Sequence, residues 1–229
     1  MRPTFITTLT ILHILAGCIF AADEAVGHGD GKVEAGAKDG GNAIKTFRYD
    51  AGLKVELWAN EPQLANPVAF SPDEKGRWYV SESYRQEGRR EGGAPLIGGV
   101  VDNRGHMNWL DEDIASRTIE DRLAMMHKFF PDAAKFKDAF ETQEERIVRL
   151  EDTTGAGRAD KSTVFADGFR DALDGTAAGI LARGNEVWWT CIPNLWHFTD
   201  SNGDGKADTK EKLLTGFGVK FAFRSPCIS

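Results

Sequence analysis

A nine-residue segment that occurs twice constrains the fold of this chain more than any other feature. DTTGAGRAD begins at Asp152 and DSNGDGKAD begins at Asp200, so the offset is 200 − 152 = 48 residues. Strand-like apolar segments flank each copy, and the acidic and glycine residues within it favour a tight turn. Self-similarity at this period, built from short strands and turns, is typical of β-propeller blades. The repeat therefore predicts a mainly β fold, a partial β-propeller of the first two to three blades, each an antiparallel meander.

The sequence before the first copy predicts further strands. Leu53, Val55 and Leu57 alternate with polar residues, as in a strand with one buried face. Val68 and Phe70 precede the turn SPDEKG, and the strand-like segment RWYVSES follows it. Strand, turn and strand at this spacing indicate an antiparallel meander.

The periodicity changes to that of a helix between these strands and the first copy of the repeat. The apolar residues at helical spacing are Ile119, Leu123, Met126 and Phe130. Thr118 and Asp121 have the spacing of a capping box, which marks the start of a helix. We therefore expect a small helical insertion at about residues 111–141.

The first 22 residues predict export. An apolar run from Phe5 to Phe20 follows Arg2 and ends in small residues, as in a secretory signal peptide. Cleavage after Ala21 or Ala22 would release a soluble protein. The alternative is that LAGC, which resembles a bacterial lipobox, leaves Cys18 acylated and anchored to a membrane. Either exit predicts a periplasmic, cell-surface or secreted protein.

Composition divides the rest of the chain. Residues 23–45 are rich in Gly, Ala and Asp and predict a flexible tether, which leaves residues 46–229 as one domain. The formal net charge of −7 argues against nucleic acid as a partner. Besides Cys18, the chain has Cys191 and Cys227, which could form at most one disulfide.

The second copy of the repeat continues into DSNGDGKADTKE, which has the spacing of an EF-hand calcium loop. Calcium prefers six to eight oxygen ligands, which a sharply turning loop can supply. The candidate ligands, with the lysine contributing its carbonyl, are Asp200, Asn202, Asp204, Lys206, Asp208 and Glu211. The alternative is a hairpin turn in which Asp and Asn cap their own backbone. Thr154 and Ala156 replace two ligand positions in the first copy, which predicts that the first loop is structural.

Three segments carry a resemblance to a known family: GLKVELWANEPQLANPVAFSPDEKGRWYVSE, RIVRLEDTTGAGRADKSTVFADGF and VWWTCIPNLWHFTDSNGDGKADTKEKLLTGFG. They resemble the N-terminal part of the membrane-bound dehydrogenases of planctomycetes and verrucomicrobia. That family is similar to the glucose/sorbosone dehydrogenases, β-propellers that use pyrroloquinoline quinone. The resemblance implies a sugar or alcohol as substrate. It assigns no quinone-binding residue in this chain.

The resemblance also implies where the catalytic base would lie. The family pattern continues into GHD-x-HG, whose last histidine is the general base, whereas this chain continues from Phe223 into RSPCIS. We therefore expect an exported fragment of such a dehydrogenase, without catalytic activity and without bound quinone. Two alternatives are a calcium-stabilised extracellular binding or scaffold module, and a subunit completed by a second chain. Open blade edges would also favour self-association.

The aromatic residues near the second copy have two interpretations. The residues concerned are Trp188, Trp189, Trp196 and Phe198. They could form a platform for a sugar, but packing between blades is the interpretation that we favour. His197 could be proposed as a substitute base; we expect it instead to face outward on a strand.

Overall fold

The described part of the chain is mainly β and forms two four-stranded antiparallel sheets. The computed structural model describes residues 37–85 and 107–218. The strands are β1 (Pro67–Pro72), β2 (Trp78–Glu82), β3 (Glu145–Glu151), β4 (Lys161–Phe169), β5 (Ala177–Arg183), β6 (Glu186–Cys191), β7 (Asn194–Thr199) and β8 (Thr209–Thr215). The first sheet has the order β1-β2-β3-β4 and the second the order β5-β6-β7-β8, so each is a meander. The predicted mainly β class and the antiparallel meanders are confirmed.

The repeat occupies the same place in both sheets. Each acidic glycine loop joins the third strand to the fourth, and a β-bulge recurs in that strand pair. Phe165 is the extra residue in β4, and Leu213 is the extra residue in β8, again 213 − 165 = 48 positions later. The flanking pairs are Ile147–Ala166 and Val148–Val164 in the first sheet, and Leu195–Leu214 and Trp196–Lys212 in the second. The equivalence of the two sheets therefore extends beyond the loop into the strands.

The helices between β2 and β3 form the predicted insertion. A 3₁₀ turn at Met107–Trp109 leads into α2 (Leu110–Ala115), α3 (Ile119–Phe129) and α4 (Ala133–Phe140), and α1 (Ala37–Thr46) lies before the first strand. The capping box of α3 is present, because Thr118 and Asp121 each accept a hydrogen bond from the other's main-chain N–H. None of the helices in residues 37–85 and 107–218 is long and apolar enough to cross a membrane.

The helical insertion has a core of its own, which is attached to the first sheet. Trp109 stacks on Phe129 with ring centroids 5.5 Å apart, and Met126 and Phe140 are buried beside them. Ala172, in the segment after β4, is buried in the same cluster. The insertion is therefore held against the end of the sheet by apolar packing as well as by the chain.

Two predictions about the segment before β1 differ from the structure. Residues 53–60 contain no strand, and Leu53 is 64% exposed. The alternation of apolar residues there has no neighbouring strand in the described part to pair with. Residues 37–45, assigned to the flexible tether, belong to α1, where Gly40 lies against Leu57, so that a Cβ on Gly40 would be 3.0 Å from the Leu57 Cδ2. This contact with the following segment favours the helix.

The first sheet packs against the second sheet on one face and, along β2 and β3, against residues 57–65 on the other. Towards the second sheet, a core forms around Tyr79, Phe165, Trp189 and Phe198, and the Trp189 indole donates to the Ser81 Oγ at 2.8 Å. On the opposite face, the side chains that pack together are Trp58, Ala59, Leu64, Val80, Val148 and Leu150. The two sheets therefore share one core, and residues 57–65 cover the outer side of β2 and β3.

Candidate functional site

The second acidic glycine loop, residues 200–208, is closed by hydrogen bonds to its own main chain. Asp200, at its first position, is buried. Its Oδ1 accepts from the N–H of Gly203 at 2.7 Å, and its Oδ2 accepts from the N–H of Gly205 at 2.9 Å. Aspartates that accept from nearby main-chain N–H groups stabilise tight turns.

Asp208 closes the same loop from its other end. Its Oδ2 accepts from the N–H of Ser201 at 2.7 Å and from that of Asn202 at 3.3 Å. The Ser201 hydroxyl and N–H lower the pKa of the Asp208 carboxyl below its ordinary value. Asn202 Oδ1 accepts from the N–H of Asp204, and Asp204 Oδ1 from that of Lys206, each at 2.8 Å.

The first loop uses the same connections without the calcium-type sequence. Asp152 accepts from the N–H groups of Ala156 and Gly157 at 3.0 and 2.8 Å. Asp160 accepts from the N–H of Thr153 at 3.0 Å and from its hydroxyl at 2.9 Å. The Thr153 N–H is the largest cause of the lowered pKa of Asp160. Two aspartates, at the first and ninth positions, therefore stabilise both turns by capping.

The structure places the predicted calcium ligands in and just after the second loop, where several of them already have protein partners. Both oxygens of Asp200 and of Asp208 accept protein hydrogen bonds. Glu211 lies on β8 beside His197, with 3.8 Å between its Oε2 and the histidine Nδ1. Within the ranges that the structure describes, no group of three or more His, Cys, Asp and Glu side chains could hold a metal ion. As folded, the loop has the hydrogen bonds of the turn interpretation, and calcium binding stays a prediction.

A buried cation ties the second loop to the first sheet. Arg149, on β3, places its Nη1 3.2 Å from Asp200 Oδ2, and its Nη2 donates to Glu151 Oε1 at 2.8 Å. Gly205 permits this approach: it has φ +94°, and a Cβ on it would lie 2.2 Å from the arginine Nη2. The pair bridges the two sheets in a place with little water, where removing one charge is costly.

A second contact between layers occurs twice, at equivalent positions of the two loops. Ala207 donates its N–H to the carbonyl of Phe165 at 2.8 Å, so the loop of the second sheet is bonded to the fourth strand of the first. Ala159 donates its N–H to the carbonyl of Trp58, also at 2.8 Å. Residues 57–65 therefore contact the loop of the first sheet in the same way that β4 contacts the loop of the second sheet.

The opposite end of the strands carries a buried carboxyl group, Glu145. Its Oε1 accepts from the main-chain N–H groups of Tyr84 and Arg85 at 2.9 and 2.7 Å and from the Ser83 hydroxyl at 3.2 Å. Its Oε2 accepts from the N–H of Ala177 at 2.8 Å. Burial raises the pKa of Glu145 from its ordinary value of 4.5 to about 7, although these hydrogen bonds oppose the shift.

Arg85 lies beside Glu145 and is also fully buried. Its guanidinium donates to the carbonyls of Gln143, Asp174 and Asp171 at 2.7, 3.0 and 3.1 Å. A carboxyl group with a pKa near neutrality is a candidate general base. Here, however, the oxygens of Glu145 and the nitrogens of Arg85 hold the chain segments that connect the strands. The arrangement is that of a structural clamp.

His197 faces away from the core, as predicted. Trp196 and Phe198, its neighbours on β7, pack in or against the core shared by the two sheets. The His197 ring stacks on Trp188 at a centroid distance of 5.0 Å, and its Nε2 lies 3.4 Å from Glu186 Oε1. Of the four aromatic residues singled out in the sequence, only Trp188 shares with His197 the face of the second sheet that points away from the first sheet. The other three lie in or against the shared core.

Several predictions concern residues outside the described ranges. The signal peptide, Cys18 and Cys227 lie there, so cleavage and acylation stay predictions, and a disulfide that involves Cys227 is untested. Cys191 is a buried free thiol, and its Sγ lies 3.6 Å from the carbonyl oxygen of Gly175.

The buried charged groups were not identified from the sequence. Arg149, Glu145 and Arg85 occur in or next to strand-like segments, where alternating charges ordinarily indicate a solvated face. Arg149 meets Asp200 only because the two sheets pack together. The repeat is the sequence feature that could have predicted this pair. If the two copies are equivalent blades, the second loop should lie against the preceding sheet, which contains Arg149.

The model of a family described as a domain of unknown function, DUF7133, matches residues 40–222. No curated protein and no solved structure matches the chain.

Proposed function

The chain belongs to the DUF7133 family, and we propose that it is a β-propeller-type module of an exported protein. We infer that this module is related to the quinone-dependent sugar and alcohol dehydrogenases. In this proposal it serves as a scaffold and not as the catalyst. The described residues would form two of the blades. Export, the relationship to the dehydrogenases and the blade arrangement are all parts of this proposal.

One observation carries the proposal: the same contact joins successive layers at both loops. The N–H groups of Ala159 and Ala207 donate to the carbonyls of Trp58 and Phe165 at the same distance of 2.8 Å. Repeated layers that each contact only their neighbours are the building principle of propellers and other repeat proteins. The recurrence supports a stack that extends by equal steps.

The roles of the polar groups support a scaffold. A general base must reach a proton on its substrate, and a carboxylate already saturated by main-chain donors is poorly placed for this. Glu145 accepts four hydrogen bonds from the protein, and Asp200 accepts two from main-chain N–H groups and faces Arg149. Each of these groups orders a loop or joins two sheets.

The buried arginines of the described residues are poor candidates for binding the quinone implied by the resemblance. Pyrroloquinoline quinone carries carboxylate groups, which cationic side chains would have to neutralise. Arg85 donates to three main-chain carbonyls, while Arg146 is paired with Glu82 and Arg149 with Asp200 and Glu151. These three arginines are committed to the fold, so we assign no cofactor-binding residue and derive no oxidation step.

Activity and cofactor binding test the proposal together. The purified protein should show no dye-linked oxidation of aldoses or alcohols, even with added pyrroloquinoline quinone and calcium. The quinone should also leave the melting temperature unchanged, because a ligand that binds only the folded state would raise it. Turnover by a purified monomer, or a clear rise in melting temperature with the quinone, would contradict the scaffold role.

A further inference from the structure

The outer face of the second sheet, which points away from the first sheet, carries apolar side chains on β5 and β6. Leu181 and Trp188 pair with each other on this face, and Trp188 lies beside His197. Leu181 is 56% exposed. Exposed apolar residues that lie together on a sheet face mark a site of interaction more often than single ones do.

The internal repeat identifies the equivalent positions of the first sheet and what covers them. His197 lies 48 residues after Arg149, which pairs with Tyr79, and Tyr79 pairs with Ser71. Tyr79 and Ser71 therefore take the place of the outer-face pair, but they are buried, with 1% and 7% exposure. The covering element is β5, which contacts β1 and β2 and whose Ala182 donates its N–H to the Ser71 Oγ at 3.1 Å.

The second copy follows the first as far as the structure describes it. Contacts at the end of the fourth strand recur 48 positions later: Phe169 with Glu145 and Arg170 with Glu144 in the first sheet, and Phe217 with Pro193 and Gly218 with Ile192 in the second. The chain therefore leaves the two sheets at equivalent points.

The segment that comes next in the sequence corresponds to the one that leads into β5. Residues 219–229 correspond to residues 171–181, which lead from β4 onto the face of the first sheet. Eleven extended residues span up to about 36 Å, whereas neighbouring sheets lie about 10 Å apart, so the segment is long enough for the same crossing. Ile228 corresponds to Ile180, a residue of β5 that packs against the shared core. An isoleucine therefore stands at this position in both copies.

We propose that residues 219–229 cover this part of the outer face of the second sheet, with residues 225–229 along β5 and β6 and Ile228 against the sheet. Pro226 corresponds to Ala178, which lies within the register shift of β5. Proline is tolerated at such irregularities because the ladder is already interrupted there. The proposal rests on the recurrence of the layers and not on the scaffold role or on a relationship to dehydrogenases.

Cross-linking through Cys227 tests the proposal in the full-length chain. With Cys18→Ser, Cys227 and the buried Cys191 are the remaining thiols. Gly179→Cys adds a thiol to the outer face on β5, where a Cβ has room, 3.5 Å from the Thr190 Oγ1. A short bis-maleimide should join this thiol to Cys227 within one chain, as measured by denaturing gels and peptide masses.

Thr209→Cys is the matched control, because it lies on β8 at the opposite edge of the same face. Its cross-link to Cys227 within one chain should form at least about tenfold more slowly, since the effective concentration of two tethered groups depends on their separation. Ile228→Asp should slow cross-linking at Gly179→Cys to the level of the control, because a charged side chain does not pack against an apolar face.

Equal cross-linking at the two positions would overturn the proposal, and so would a reaction at Gly179→Cys that Ile228→Asp leaves unchanged. Leu181→Cys, at an exposed position of β5, replaces Gly179→Cys if circular dichroism shows that the glycine variant does not fold. The absence of a cross-link within one chain at both positions of β5 would show that residues 219–229 lie elsewhere.

Discussion

At the scale of single residues, Glu145 is the group whose surroundings most change its chemistry. Burial raises its pKa to about 7, above the ordinary 4.5 that it would have in the unfolded chain. A carboxyl group with a raised pKa binds its proton more tightly in the folded state, so it stabilises the fold at low pH and this contribution is lost as the pH rises through the folded value. Burial also raises the pKa values of Glu82 and Asp174.

We therefore expect the free energy of unfolding to fall between about pH 4.5 and pH 7. Glu145→Gln, which cannot ionise, should be less stable than the wild type near pH 5 and should show a shallower decline over this range. Urea unfolding at several pH values measures both slopes. Glu56→Gln, at an exposed ion pair with Lys54, is the control and should keep the wild-type slope. Parallel slopes for wild type and Glu145→Gln would show that Glu145 does not titrate there.

The aspartates of the second loop give another prediction at this scale. Because Asp200, Asn202 and Asp208 already accept hydrogen bonds from the loop, millimolar calcium should leave the melting temperature unchanged. Asp204→Ala should behave identically with and without calcium. A rise in the melting temperature of the wild type with calcium, abolished in Asp204→Ala, would contradict the turn interpretation and support the predicted calcium loop.

At the scale of elements, the two loops form a matched pair that differs in one contact. Gly157 and Gly205 are equivalent, with φ of +78° and +94°. A Cβ would meet nothing within 4 Å at Gly157 but would collide with the Arg149 guanidinium at Gly205. Positive φ disfavours alanine at both positions. At Gly205, alanine would also displace the Arg149 guanidinium from its buried ion pair with Asp200.

Gly157→Ala should cost about 1 kcal/mol of unfolding free energy, the usual cost of a strained residue with positive φ. Gly205→Ala should cost about 3 kcal/mol or more, since it also separates Arg149 from Asp200. Chemical denaturation of both variants measures the difference. Equal costs would mean that Arg149 moves aside freely and that its contact with Asp200 does not hold the sheets together.

The same elements show how far the sequence predicts the structure. The strands around the turn at residues 73–76 and the capped helix α3 follow from local patterns, which the chain satisfies within a few residues. Residues 53–57 have an equally clear alternation but form no strand, because a strand requires a partner that local sequence does not specify. The Arg149–Asp200 pair was missed for the same reason: it depends on how two distant sheets pack.

At the scale of the whole molecule, the two sheets are joined by a continuous apolar core. Tyr79 and Phe165 from the first sheet contact the same cluster as Trp189 and Phe198 from the second, and Trp189 also donates to Ser81 across the interface. Neither sheet could keep this core buried without the other. The sheets should therefore unfold together, as small cooperative domains do.

Trp189→Ala tests this cooperativity. The substitution should cost about 3–5 kcal/mol, because it removes a fully buried aromatic side chain and leaves the Ser81 hydroxyl without its partner. Circular dichroism reports on both sheets, whereas fluorescence reports on tryptophans that lie in different parts of the fold. In wild type and variant alike, the two signals should change at the same denaturant concentration. Separate transitions would show that the first sheet, held by residues 57–65, is stable without the second.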